Sequence, residues 1–281
     1  MSIVTISRGS YSRGKEVAEA VASELGYECI SREILVEASD QFNIPEIKLL
    51  KAVHDAPTVL ERFNNGQQRY VAYFKSAFLS HMLKGNIVYH GLAGHFFLQN
   101  IAHALKVRII ADLNSRVAEE MRREGASQDS ALFSLKKDDE ERRKWSLHLH
   151  GKDPWDSRLY DMVLCVGSLT VDDVAELLVQ VIQKEQFRET ERSRAALQNL
   201  ALQANIAAQV SKADSSAHVT LTKEHTVLLT AVDGVLKNDK NARKEFVATV
   251  KEMFAIEDVA FGEPVHPYKG HVNTFYNLDI E

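Results

Sequence analysis

Cysteine is nearly missing from this chain of 281 residues: Cys29 and Cys165 are the only two. Two thiols so far apart exclude a disulfide framework or a thiolate zinc site, and they suit a reducing cytoplasm. No run reaches about 18 apolar residues, and the first residues lack a basic region followed by an apolar core, so neither export nor a membrane span is expected. Positive charge is not in excess either. With 34 Lys and Arg against 39 Asp and Glu the net charge is −5, which argues against a nucleic-acid partner, because phosphate backbones are held by surplus cations. What remains is 45% hydrophobic and 26% charged residues, the composition of a soluble globular protein. The length allows one large domain or two ordinary ones.

The most informative stretch is Ile3-Val-Thr-Ile-Ser-Arg8 followed by Gly9-Ser-Tyr-Ser-Arg-Gly14-Lys15-Glu16. A short β-branched apolar run predicts a buried parallel strand. After it, Val17, Val21 and Leu25 recur every four residues up to Gly26, predicting a capped helix with one buried face. Between them, the spacing Gly9, Gly14, Lys15 fits a phosphate-cradling loop, in which small residues let backbone N–H groups close round phosphate oxygens and the lysine adds a mobile charge. A merely structural glycine turn is the plainer reading; the strand before and the helix after favour phosphate. Glu16 stands where a hydroxyl would normally meet magnesium, leaving Ser10 or Ser12 as substitutes.

Further strands are expected at 27–30, 85–90, 106–111 and 161–165. A mostly helical insertion over 32–83 breaks near 43–45 and 55–57. The charged stretch 114–152 holds Arg116, Arg122, Arg123, Arg142, Arg143 and Lys144. Such a run reads as a solvated helix face or, placed after the fourth strand, as an arm that closes over phosphates. A last helix at 171–183 ends the first domain, 1–183. The polar stretch 184–196 reads as a linker, 197–268 as a small unit of order αββαβ, and 269–281 as an irregular tail. The eleven histidines show no ligand spacing, so no metal site is expected from them. Trp145 and Trp155 read as packing residues of the basic arm, or else as a surface for a base.

Several segments occur in one order: Arg8-Gly-Ser-Tyr-Ser-Arg-Gly-Lys-Glu16, Ser31-Arg-Glu-Ile-Leu35, Gly85-Asn-Ile-Val-Tyr-His-Gly91, Arg116 with Gly125-Ala-Ser127, Asp139-Glu-Glu-Arg142, and Gly151-Lys-Asp-Pro-Trp155 with Leu159-Tyr-Asp161. In that order they resemble the cytidylate kinase-like family of P-loop nucleoside monophosphate kinases, over about residues 1–182. The resemblance implies an α/β fold, a parallel five-stranded sheet with a helical insertion and a lid. It implies ATP as phosphoryl donor, magnesium, and a CMP-like or dCMP-like acceptor. Carried over by position, Gly9, Ser10, Ser12, Arg13, Gly14, Lys15, Glu16 and Arg116 would contact the donor. Arg32, Gly91 and Asp139 would contact the acceptor, and Lys15, Arg142 and Lys144 would act on the transferred group. Three departures surround this site: Glu16, Leu92 where relatives often carry arginine, and Glu119 at a position often basic. With no Asp or Glu between Asn86 and Gly94, they leave open a second reading, a nucleotide-binding sensor with weakened catalysis. The C-terminal unit resembles a BON-type domain, which implies a regulatory or ligand-binding module with a small ligand or protein partner. A packing or dimerisation domain is the plainer alternative.

Overall fold

A computed structural model describes residues 1–54, 66–222 and 226–262. The chain divides into two units, Met1–Ala208 and Gln209–Glu281.

In the first unit β1 (Ile3–Arg8) leads to α1 (Gly14–Leu25), β2 (Glu28–Ile30), α2 (Glu33–Phe42), α3 (Glu46–His54) and α4 (Gly66–Met82). There follow β3 (Ile87–His90), α5 (Gly94–Phe97), β4 (Ala104–Ala111), α6 (Leu113–Glu124) and α7 (Gln128–His150), then β5 (Met162–Val166) and α8 (Val171–Ile182). The sheet order is β2-β3-β1-β4-β5, and every neighbouring pair is parallel. β1 is therefore central and covered on both faces, as its apolar run predicts. The break at 43–45 is real, with Asn43 capping α2 in a left-handed conformation; the break expected at 55–57 lies outside the described residues.

Two cores flank the sheet. On one face Val17, Val21, Val174 and Leu178 of α1 and α8 pack on Val4, Ile6, Val107 and Ile109. Each such side chain contributes about 1.5–3 kcal/mol by leaving water. The other face carries Ile3, Ile87 and Tyr89 against Phe74, Phe78 and Phe97. Alternation along β4 thus buries Val107 and Ile109 in the first core and turns Arg108 toward the opposite side.

The next helix, α9 (Glu191–Ala213), changes the domain boundary read from composition. Leu197, Ala201, Ala204 and Ala208 are buried in the second core of the first unit, and Ser76 Oγ donates to Asn205 Oδ1 at 2.6 Å. The division therefore falls inside α9, after residue 208, rather than at 184–196. Residues 184–190 of that polar stretch precede α9, and 191–196 form its first turns. The second unit holds β6 (His218–Leu221), β7 (Thr226–Thr230), α10 (Gly234–Asn238), α11 (Lys240–Phe254) and β8 (Asp258–Phe261). Its sheet runs β6-β7-β8, antiparallel then parallel. The expected ββαβ order is present, with α10 added before α11. The tail expected at 269–281 lies outside the described residues.

Candidate active site

β1 delivers the chain to the site. Beyond Arg8, Tyr11 and Arg13 have φ of 56° and 62°, left-handed values that cost a residue with a side chain about 1–2 kcal/mol each. Nests of backbone N–H groups that hold anions use the same left-handed turns. The turn opens on the N-terminus of α1, whose dipole adds to the attraction for anions. Ser12 Oγ donates to the Gly9 carbonyl at 2.9 Å and closes the loop from within. Gly14 has no room for a side chain: a Cβ would stand 2.8 Å from Arg8 Cβ.

Three cavities surround this loop. The cradle, about 270 Å³, is reached by Arg8, Ser10, Lys15, Glu16, Arg123 and Asp138. An inner cavity of about 40 Å³ is lined by Arg8, Arg108 and Arg142 with His95, Leu92 and Trp145. An outer cleft of about 330 Å³ is lined by Gly9, Arg116, Ile110, Ala111, Trp155 and Val163. Arg8 belongs to both the cradle and the inner cavity. Gly9, Arg108 and Asp139 belong to both the inner cavity and the cleft.

The charged arm forms α6 and α7, capped by Asp112 and Ser127. Arg116 Nε donates to the Ser10 carbonyl at 2.8 Å, and its two terminal nitrogens donate to Asp139 at 2.8 and 2.9 Å. Ser10 Oγ donates to Asp138 at 3.1 Å, and Arg142 donates to the Arg8 carbonyl at 3.2 Å. Burial pulls the Arg8 and Arg142 guanidiniums below their ordinary value, with Glu16 and Asp138 respectively pulling back. The Nε atoms of both have no hydrogen-bond partner among the described residues.

The carboxylate of Glu16 is answered by this same arm. Arg123 donates to it at 2.8 Å and also pairs with Glu119, which in turn holds Arg122 at 2.6 Å. Two of the sequence departures, Glu16 and Glu119, are thus one ion-pair network joining α1 to α6.

Of the residues singled out in the sequence, Gly9, Ser10, Ser12, Arg13, Gly14, Lys15, Glu16, Arg116, Asp139 and Arg142 converge on the loop. Lys15 is 56% exposed and lies 3.6 Å from Glu19. Ser10 reaches the cradle, whereas Ser12 is buried and reaches the cleft side. Lys144, Arg32 and Gly91 line none of the three cavities. Lys144 is exposed beside Glu140 and Glu141, Arg32 is 73% exposed and paired with Glu46, and Gly91 makes room for the Tyr89 ring. Trp145 is buried and donates to the Ala52 carbonyl at 2.7 Å. Trp155 is half exposed under the Arg143 guanidinium.

Sequence reasoning missed the side chains of Arg8 and Arg108, and also Asp138 and His95, and it named Arg123 only as one cation of the charged arm. Arg108 carried a signal, as one of two cations, with Lys106, in a strand whose other residues are apolar. His95 is 3% exposed. Its Nε2 lies 3.3 Å from the Tyr160 hydroxyl, which donates to the Pro154 carbonyl and accepts from Arg108. Burial pushes His95 down to about 3, so it is neutral at pH 7.

A five-stranded parallel sheet with a glycine loop at the end of its central strand, and a basic arm over that loop, defines a P-loop kinase fold. The family model described as "Cytidylate kinase-like family" matches residues 3–168, and the chain belongs to that family. Among solved structures, an uncharacterized protein from Eubacterium ventriosum ATCC 27560 is 21% identical with a TM-score of 0.51, covering 66% of this chain and 100% of its own. Shikimate kinase from Acinetobacter baumannii, in complex with shikimate, is 10% identical with a TM-score of 0.40, covering 67% and 96%. Dephospho-CoA kinase from Campylobacter jejuni is 14% identical with a TM-score of 0.34, covering 64% and 96%. The first shows the fold alone, and the lower two scores support no further conclusion. No curated protein matches the chain.

Proposed function

We propose that the first unit transfers the γ-phosphoryl group of ATP to a nucleoside monophosphate of the CMP or dCMP kind. The observation that carries this reading is Arg8, a half-buried cation shared by the cradle and the inner cavity. Phosphoryl transfer needs two anions brought in line and positive charge between them, more than it needs covalent chemistry by the protein. The cradle with Lys15 and the N-terminus of α1 holds the donor phosphates. The outer cleft, with the planar Arg116 guanidinium, Ile110, Ala111 and Trp155, takes the donor base. In the transfer the bond from phosphorus to the oxygen of ADP breaks as a bond to the acceptor oxygen forms. Arg8 and Arg142 offset charge on the moving group.

Magnesium fits the donor set in the cradle. Asp138 and Ser10 are hard oxygen donors lining it beside Lys15, and magnesium takes one or two carboxylates together with substrate phosphates. The ion would screen the donor phosphates. Among the described residues no group of three or more His, Cys, Asp or Glu forms a closed metal cage.

A second reading, a nucleotide sensor with weakened catalysis, draws on Asp139 and Glu16, carboxylates that already hold Arg116 and Arg123. The two readings separate in one assay. Labelled ATP with magnesium is offered CMP, dCMP, UMP and AMP in turn. Transfer to CMP or dCMP, reduced by about 10²-fold or more in Lys15→Ala, supports the enzyme. ATP binding by calorimetry with no transfer to any acceptor supports the sensor. We read the second unit as a ligand-binding or regulatory module of BON-like type. Its support is a cavity of about 560 Å³ lined by Ser216, Asp233, Lys237, Arg243 and Phe261. Two free cysteines support a cytoplasmic setting.

A further inference from the structure

The turn that follows α7 supplies a wall to two of the three cavities. Pro154 lines the inner cavity, and Trp155 lines both that cavity and the outer cleft. Trp155 is 53% exposed, and a half-exposed indole has too few packing contacts to fix its own position. Most of the turn's anchors come from α7 itself. Arg143 donates to Asp153 at 2.9 Å and lies over the Trp155 ring, and Ser146 Oγ donates to the Lys152 carbonyl at 2.6 Å. These bonds move with the helix. Lys152 Nζ also reaches Gln99 Oε1 at 3.3 Å, in an exposed contact. The buried tie is different: the Tyr160 hydroxyl donates to the Pro154 carbonyl at 3.0 Å.

Tyr160 stands just before β5 and is buried. Its oxygen accepts from Arg108 on β4 at 3.3 Å and lies 3.3 Å from His95 Nε2 on α5 and 3.4 Å from Ser7 Oγ on β1. A phenol has one proton to give and lone pairs with which to receive. With the proton on Pro154, the oxygen receives from Arg108 and from an N–H at His95 Nε2. The ring beside it lies 4.7 Å from the His95 ring and 5.7 Å from the Arg108 guanidinium. A single hydroxyl therefore joins β4, α5 and the turn. Buried networks whose members are all satisfied are rigid, and removal of one leaves its partners unmet.

We infer that Tyr160 is a positioning residue: its hydroxyl fixes the turn bearing Trp155 against Arg108, so that the outer cleft is shaped before a ligand arrives. The inference rests on the kinase reading, in which that cleft takes the donor base. Tyr160 lines none of the three cavities and acts through Pro154 and Arg108. It bears on the base of the donor and not on phosphates held in the cradle.

The test compares Tyr160→Phe with the unmodified full chain, since that change removes one oxygen and keeps the ring. Calorimetry with ATP and with inorganic tripolyphosphate, each with magnesium, separates positioning from general loosening. ATP, which uses the cleft, binds about tenfold more weakly in the variant, whereas tripolyphosphate, which uses only the cradle, changes by less than about threefold. Acrylamide quenching of tryptophan fluorescence gives a readout without ligand. Trp145 is 3% exposed and hardly reached, so Trp155 dominates, and its quenching rises by about 1.5-fold or more once the turn is released. Equal weakening of both ligands, unchanged ATP binding, or unchanged quenching in the folded variant overturns the inference. If Tyr160→Phe does not fold, amide exchange in the unmodified chain decides. The Trp155 and Asp156 amides, bonded to Asp153, exchange at least about 100-fold more slowly than in an unstructured peptide if the turn is pinned; exchange at the unstructured rate overturns the inference. If neither ATP nor tripolyphosphate binds the unmodified chain, the kinase reading fails, while quenching and exchange still decide whether Tyr160 holds the turn.

Discussion

The cradle and the inner cavity share Arg8 and differ in how their charges are held. Around the cradle the charges are exposed and paired: Lys15 with Glu19, Glu16 with Arg123, Arg123 with Glu119. Exposed pairs of this kind are worth about 0–1 kcal/mol, so a ligand can exchange partners with them cheaply. Inside, Arg8, Arg108 and Arg142 form no ion pair among the described residues, and Asp139, the carboxylate beside them, is held by Arg116. The difference teaches that formal charge is a poor guide to binding at this site. A cation already answered by a carboxylate offers little, and a half-buried one without an ion pair attracts more strongly. One helix shows both cases, because Arg142 and Lys144 lie two residues apart on α7 and only Arg142 faces the loop.

That pair gives the largest expected effect. Arg142→Ala lowers kcat/KM for phosphoryl transfer by about 10²-fold, the usual cost of one lost donor to transition-state charge, whereas Lys144→Ala changes it by less than about threefold. Equal losses in steady-state assays would erase the distinction between inner and outer cations.

Gly14→Ala comes next, since the added methyl meets Arg8 Cβ at 2.8 Å and drives apart the loop and the shared arginine. A loss of about 1–3 kcal/mol is expected in urea unfolding, with ATP binding weakened in parallel. Retention of both would show the loop to be softer than its packing.

Histidine burial sets a pH dependence of similar size. Burial holds His95 at about 3 and His90 at about 4, below the ordinary 6.5. The unfolded chain therefore binds more protons than the folded one between those values and 6.5. Stability is full above pH 6.5 and falls as pH drops toward 4, by up to about 1.4 kcal/mol per pH unit for each histidine. Urea midpoints at pH 7 and 5 check this, and His95→Gln lessens the slope. A flat profile would mean that neither ring is held neutral.

The smallest effect belongs to Glu16→Gln. Because Arg123 already neutralises this carboxylate, stability changes by less than about 1 kcal/mol and ATP affinity by less than about threefold. A large gain in ATP affinity would restore Glu16 as an unscreened obstacle to the donor.

Much of this was legible in the residues. The apolar run Ile3–Ile6, the glycine spacing and the four-residue recurrence of Val17, Val21 and Leu25 specify strand, loop and helix through local sterics and burial alone. Position and order of the later segments did the same for the other strands and the arm. Long-range pairing was not legible. Glu16 looked misplaced because its partner Arg123 is remote in sequence, and Arg32 looked like a binding residue though Glu46 occupies it. The helical stretch 197–208 read as part of a second unit because composition reports exposure and not which core receives the buried face.

The sequence by itself therefore determined the P-loop sheet, the loop and the basic arm, since periodicity, glycine and strand order act through the backbone within one element or its neighbours. Only the tertiary structure decided which cations are free to meet a phosphate. Pairing and desolvation depend on what lies across space, and it is the packing of β4, α7 and the loop that leaves Arg8, Arg108 and Arg142 around one small cavity.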